Sequence, residues 1–154
     1  MTRLVFTIFA IITIFSSTCF ANLPLKEFAI GGIVPGSSIN YVKSIYGEPD
    51  RIDSSDRHLF LVYGNTFYIS FNSSTKIIFS VESRGNNGIK TPSGLTVKDS
   101  IKKVKSVYGK PFSESDMDIK YRSDVFIENG EKRYYMLNFS IENGKIRMMS
   151  LHKI

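Results

Sequence analysis

Tryptophan is absent from the 154 residues, cysteine occurs once, histidine twice and proline five times. A lone cysteine excludes an intrachain disulfide framework and any multi-cysteine zinc or iron–sulfur cage. Two histidines with no carboxylate cluster beside them argue against most catalytic metal sites. The chain also lacks a Gly-x-Ser-x-Gly elbow, a phosphate-cradling glycine loop and a His-Glu-x-x-His helix. No enzymatic activity, cofactor or metal is therefore expected. The acidic groups Asp50/Asp53/Asp56 and Glu114/Asp116/Asp118 lack the glycine and closing glutamate of a calcium loop, and they read as turn residues. Although the formal net charge is +6, no Lys/Arg run is interleaved with aromatics, so nucleic acid is not an expected partner.

What the chain does have is enough apolar material for a core. Hydrophobic residues make up 42% and aromatics 13%, which excludes wholesale disorder. The length allows one ordinary domain or two small units.

The N-terminus carries an export pattern. Arg3 gives a positive start, Leu4 to Phe15 is apolar apart from Thr7 and Thr13, and Cys19-Phe20-Ala21 supplies small residues for cleavage after Ala21. The apolar stretch is about 12 residues, whereas a membrane span needs about 20. Residues 1–21 are expected to be a signal peptide, leaving a periplasmic or secreted chain without cysteine. Lipid anchoring at Cys19 is the less favoured alternative.

The chain then repeats itself. GIVPGSSINYVKSIYGEP at 32–49 and GLTVKDSIKKVKSVYGKP at 94–111 agree at nine of 18 positions with a constant offset of 62. Chance predicts about one match, so an internal duplication is expected. Each copy reads as a short helix. Ile39, Val42 and Tyr46 form one apolar stripe, and Ile101, Val104 and Tyr108 form the other. Ser37 or Ser38 is the expected first N-cap, and Thr96 with Asp99 the second. Gly47 and Pro49, then Gly109 and Pro111, end the helices.

Strand-period segments follow each helix: His58–Tyr63, Thr66–Phe71 and Lys76–Glu82, then Lys120–Glu128, Arg133–Ile141 and Lys145–Leu151. Asn129-Gly130 and Asn143-Gly144 are the pairs that two-residue hairpin turns prefer. Glu27–Ile33 and Ile89–Leu95 are expected as further short strands. The predicted fold is α+β, with two repeated units at 22–84 and 85–154. Each unit is a helix followed by an antiparallel meander of three to four strands.

The spacing Gly36-x-Ser38, Val42 and Tyr46-Gly47-x-Pro49, followed by an aromatic strand and a hairpin, resembles the SmpA/OmlA (BamE-like) small outer-membrane lipoproteins. As a tandem, it also resembles the architecture of the β-lactamase inhibitory proteins. The resemblance implies an exported bacterial binding or scaffold module of the cell envelope, without catalysis. The alternative it implies is an inhibitor of a secreted enzyme.

Two surfaces are candidates for a protein partner. If Leu137, Phe139 and Ile141 face the helices, then Tyr134, Met136 and Asn138 face the other way, with Tyr68 and Ser70 as counterparts and Arg147 and Met149 joining from the last strand. Tyr, Met and Arg are enriched in interfaces. The competing arrangement has the two units packing on each other through these faces. The second surface is Lys98, Lys102 and Lys105, expected on one side of the second helix, where an acidic partner or an anionic envelope surface would dock.

Overall fold

The computed structural model describes residues 22–55 and 58–154. The predicted signal segment lies outside them. Among the described residues eight strands form one antiparallel sheet, and two short helices lie on one of its faces. In chain order the elements are β1 (Arg51–Ser55), β2 (His58–Tyr63), β3 (Phe67–Phe71), β4 (Ile78–Arg84), β5 (Ser113–Glu114), β6 (Asp118–Arg122), β7 (Phe126–Glu128), β8 (Glu131–Arg133), β9 (Tyr135–Glu142) and β10 (Lys145–Lys153). Helices α1 (Ile39–Tyr46) and α2 (Ile101–Tyr108) precede β1 and β5, respectively. The sheet order is β1-β2-β3-β4-β10-β9-β6-β5, and β7 and β8 form a separate hairpin.

The predicted α+β class holds, but the strands expected as two meanders lie in a single sheet. The join is β4 against β10, which pair antiparallel from Ser80↔His152 to Arg84↔Met148. That pairing removes two strand edges at once, since an unpaired edge leaves a row of backbone donors and acceptors open.

Local chemistry accounts for the helix limits. Ser38 is extended, and its hydroxyl accepts from the Tyr41 N–H at 3.2 Å. Ser100 does the same for Lys103 at 3.2 Å. The second cap is therefore Ser100 and not Thr96. The Asp99 carboxylate instead folds back to accept from the Thr96 N–H at 3.0 Å and binds Lys103. Burial opposes its ionisation, but the hydrogen bonds from Lys103 and Thr96 outweigh that and hold its pKa below the usual value. Gly47 and Gly109 stop the helices at φ 76° and 72°, their N–H groups donating to the Lys43 and Lys105 carbonyls.

Two predicted strands do not form. Leu25–Glu27 is a 3-10 turn, and Ile30 and Ile33 bond each other across Gly31-Gly32. Residues 89–95 turn likewise, closed by the Thr91 N–H on the Leu95 carbonyl at 2.9 Å. Gly31 is required at its position. A Cβ there would lie 2.3 Å from the Tyr46 hydroxyl, which donates to the Gly31 carbonyl at 2.6 Å.

The predicted strand Lys120–Glu128 breaks into β6 and β7 at Ser123, whose N–H still donates to the Tyr135 carbonyl but whose hydroxyl, not its carbonyl, accepts from the Tyr135 N–H. Both Asn-Gly turns form as predicted, with φ positive at Asn129, Gly130, Asn143 and Gly144. The core lies between the helical layer and the inner sheet face. Phe28, Ile33, Val42, Leu95 and Val104 meet Leu61, Ile69, Ile119, Leu137 and Phe139 in one cluster that runs the width of the sheet. Burying each such side chain contributes about 1.5–3 kcal/mol before conformational entropy is counted.

Candidate functional site

The face of the sheet turned away from both helices is the site the sequence anticipates, and the strand register defines it. One outward row runs Val62–Tyr68–Glu82–Ser150–Asn138–Lys120 across six strands. The next runs Phe60–Ser70–Ser80–His152–Met136–Arg122. Ser70, Ser80 and Ser150 are only 4–7% exposed, so small hydroxyls floor the middle of the face while larger side chains rise on either side.

Stacked cations organise the two flanks. The Arg84 guanidinium lies 4.7 Å from the Tyr68 ring and pairs with Glu82. The Tyr68 hydroxyl donates to the Asn65 carbonyl at 2.8 Å. On the other flank, the Arg122 guanidinium sits 4.5 Å from Phe112 and 5.6 Å from Tyr134. The Arg122 Nε and the Asn138 Oδ1 are buried and have no hydrogen-bond partner among the described residues. Such atoms are uncommon in folded proteins.

Tyr68, Tyr134 and Met136 fall on this face as predicted. Tyr134 is held by two backbone bonds to Ile154, at 3.0 and 2.9 Å. Met149 does not join them. The register slips between Ile146 and Met148, so Arg147 is a bulge residue and the alternation inverts. Met149 is fully buried in the core, Met148 takes the outward place, and Arg147 remains exposed at the rim. Phe60, Arg84, Arg122 and His152 also belong to the face and were missed. For Arg84 and His152 the signal was the period-two pattern of β4 and the last strand, read too short at its C-terminal end.

The lysine patch is not a single helical stripe. Lys98 precedes α2 at φ 78°, with its N–H on the Ile146 carbonyl at 2.8 Å. Only Lys102 and Lys105 lie in the helix, and Lys105 pairs with Glu114 at 2.5 Å. Because α2 covers the inner face, these two lysines lie across the sheet from Tyr68 and Met136. The structure separates the two candidate surfaces.

The perturbed tyrosines are structural. Burial pushes Tyr108 and Tyr121 up to about 12. The Tyr108 hydroxyl is held by Thr91 at 3.0 Å and Glu27 at 3.2 Å. Several acidic side chains of the two suspected clusters are already engaged. Asp50 accepts from the Gly64 N–H, Asp53 pairs with Arg51, and Asp118 pairs with Lys120. Among the described residues no three His, Cys, Asp or Glu side chains are grouped to hold a metal ion, and no helix is long and apolar enough to cross a membrane.

No family model matches the chain, and no curated protein matches it. Among solved structures, an extracellular protein containing an SCP domain from Bacillus anthracis str. Ames is similar, with a TM-score of 0.49 and 11% identity. The match covers 77% of this chain and 43% of that one, so this chain spans less than half of that protein's length. The resemblance to the SmpA/OmlA lipoproteins and to the tandem inhibitory proteins is not upheld. No family model supports it, and the described strands lie mostly in one continuous sheet with two helices, not in a BamE-like tandem of separate helix-plus-sheet units. The matched positions were helix caps, stops and core residues, which many folds need for the same physical reasons.

Proposed function

We propose that this protein is an exported, non-catalytic binding module whose open sheet face takes a protein partner. The observation that carries the reading is the composition of that face. Two rows cross six strands with a serine floor, and Tyr68, Arg84, Met136, Met148, Arg122 and Tyr134 stand around it. Tyr, Met and Arg are over-represented at interface centres, where they bring large contact area with a polar tip. Export is supported by the charged, apolar, small-residue order of residues 1–21.

The reading includes a duplicated architecture, with α1 and β1–β4 related to α2, β5, β6, β9 and β10. Equivalent bonds at equivalent places support it. Ser38 and Ser100 cap in the same way and bridge to Ile77 and Lys145, respectively. The Ile39 N–H donates to the Lys76 carbonyl and the Ile101 N–H to the Gly144 carbonyl, both at 3.1 Å. A bulge falls in β4 after Ile78 and in β10 after Ile146.

Site-specific photo-crosslinking in the native envelope tests the binding role. A photoreactive residue at Tyr68 or Met136 is expected to give a discrete protein adduct, while one at Lys102 on α2 gives none. Adducts from Lys102 alone, or from none of the three, would remove the face as the binding surface. An adduct that proves to be a secreted enzyme, with stoichiometric loss of its activity, identifies the protein as an inhibitor.

A further inference from the structure

A second surface lies on the helical side, where α1 stops short of the sheet edge. A recess of about 490 Å³ opens between α1 and β1. Leu61 and Phe71 floor it, Ile39 and Lys43 of α1 form one wall, Ile52 of β1 forms the other, and Lys76 stands at one end. Ile52 is the register partner of Leu61 and faces the same way. Leu61 is fully buried, whereas Ile52 is 57% exposed. The apolar floor of the fold therefore continues outward beneath β1 without a cover.

β1 is also an open edge. Among the described residues it pairs with β2 and has no strand on its other side. Its five residues run about 17 Å at roughly 3.3 Å each, enough for an added strand. Edge strands are normally blunted by proline, bulges or inward-pointing charge. β1 has no proline, and its register with β2 is unbroken from Arg51↔Val62 to Ser55↔His58. Its charges, Arg51 and Asp53, alternate with Ile52 and pair with each other at 3.0 Å on the opposite face. They leave the groove side clear. At the far edge of the sheet, β5 has only two residues and offers no comparable template.

The geometry points to an extended acidic peptide segment of a partner protein, which adds a ninth strand against β1. An apolar side chain of that segment enters the groove over Leu61 and Phe71, and a carboxylate meets Lys76. Strand addition uses main-chain bonds for affinity and alternate side-chain pockets for specificity. The charge of the groove selects the sign. Its cations are Lys43, which is shared with Glu48, and Lys76, whose ammonium lies 5.9 Å from the Phe71 ring centre. Among the described residues no carboxylate lines the recess.

The test uses the chain from Asn22 onward and a phage-displayed random dodecapeptide library. Expected are binders with alternating apolar residues and an acidic group, and slowed amide exchange across residues 51–55 when the synthetic peptide binds. Ile52→Glu is expected to weaken that peptide at least tenfold. Lys76→Glu is expected to weaken it and to shift a repeated selection toward basic peptides. Ile52 and Lys76 are exposed, so both variants should keep the parent melting temperature. Tyr68→Ala on the opposite face should leave peptide binding unchanged, which separates this proposal from the sheet-face reading. The proposal is overturned by three results: no enriched binder, protection that falls on the outer face, or concentration-dependent protection of β1 without peptide. The last would mean that a second copy of this chain occupies the edge.

Discussion

The Tyr121 hydroxyl donates to the Gly109 carbonyl at 3.0 Å, tying β6 to the residue that stops α2. Tyr63 makes the same bond to Gly47, also at 3.0 Å, at the end of α1. A helix C-terminus leaves carbonyls without partners, and a tyrosine from the following hairpin supplies one each time. Tyr121 is buried and Tyr63 only half-buried, so the two bonds differ in their access to water. Tyr121→Phe is expected to cost about 1 kcal/mol, and Tyr63→Phe about half of that. Urea unfolding at neutral pH measures both.

The serine caps give a second stability prediction. Ser38 and Ser100 each satisfy one N–H of the first turn of an eight-residue helix, and so short a helix has few bonds to lose. Ser38→Ala and Ser100→Ala should each cost about 1 kcal/mol, and the glycine variants only a few tenths. The caps are well separated, so the double variant should be additive. Strong non-additivity would show that the two helices report on each other through the shared core.

The limits of the sequence reading follow from what each signal encodes. Caps, stops and Asn-Gly turns are local, and at Ser38, Gly47, Gly109 and Gly144 the local chemistry decided the structure. The period-two pattern located most strands, but it says nothing about which strand pairs with which. The β4–β10 join depends on backbone groups that every residue carries, so no side chain announced it. β1 was hidden because Arg51-Ile52-Asp53-Ser54-Ser55 is polar at an edge, where only Ile52 has an apolar floor to meet. The fate of Met149 turned on one extra residue. Arg147 bulges, and every side chain after it changes face. Of the candidate site, Tyr68, Tyr134 and Met136 were legible by alternation, whereas Lys98 was assigned to a helix that starts three residues later.

The buried tyrosines make stability fall in alkali. Tyr108 and Tyr121 titrate at about 12 in the folded chain, against 10.0 for an ordinary tyrosine, because burial disfavours the phenolate. Between those values the unfolded chain has released protons that the folded chain still holds. Stability is therefore intact below pH 10, declines as pH rises toward 12, and levels off beyond. Absorbance at about 295 nm should show Tyr108 and Tyr121 ionising last, after Tyr46, Tyr63 and Tyr135, which burial also raises, and all of them should merge with the rest on unfolding. Tyr108→Phe should flatten part of the decline in the urea midpoint.

His152 makes the opposite prediction at mild acidity. It stands in the outward row between Ser80 and Met136, and burial lowers its pKa below 6.5 against a weaker opposing pull from Glu82. On acidification the unfolded chain protonates its histidine first, while the folded chain keeps the imidazole neutral. The unfolded state then binds more protons, so His152 contributes stability that is complete above pH 6.5 and is lost as pH falls through its depressed folded pKa. The urea midpoint should drop as pH falls below 6.5, and His152→Gln should remove part of that drop. Proton NMR of the C2 resonance should place the folded pKa of His152 below 6.5. A partner that covers the sheet face buries this imidazole further, so its pKa should fall again in the complex and binding should weaken as the histidine becomes charged. Affinity that is flat from pH 7 to 5 would show that the partner does not cover the central strands.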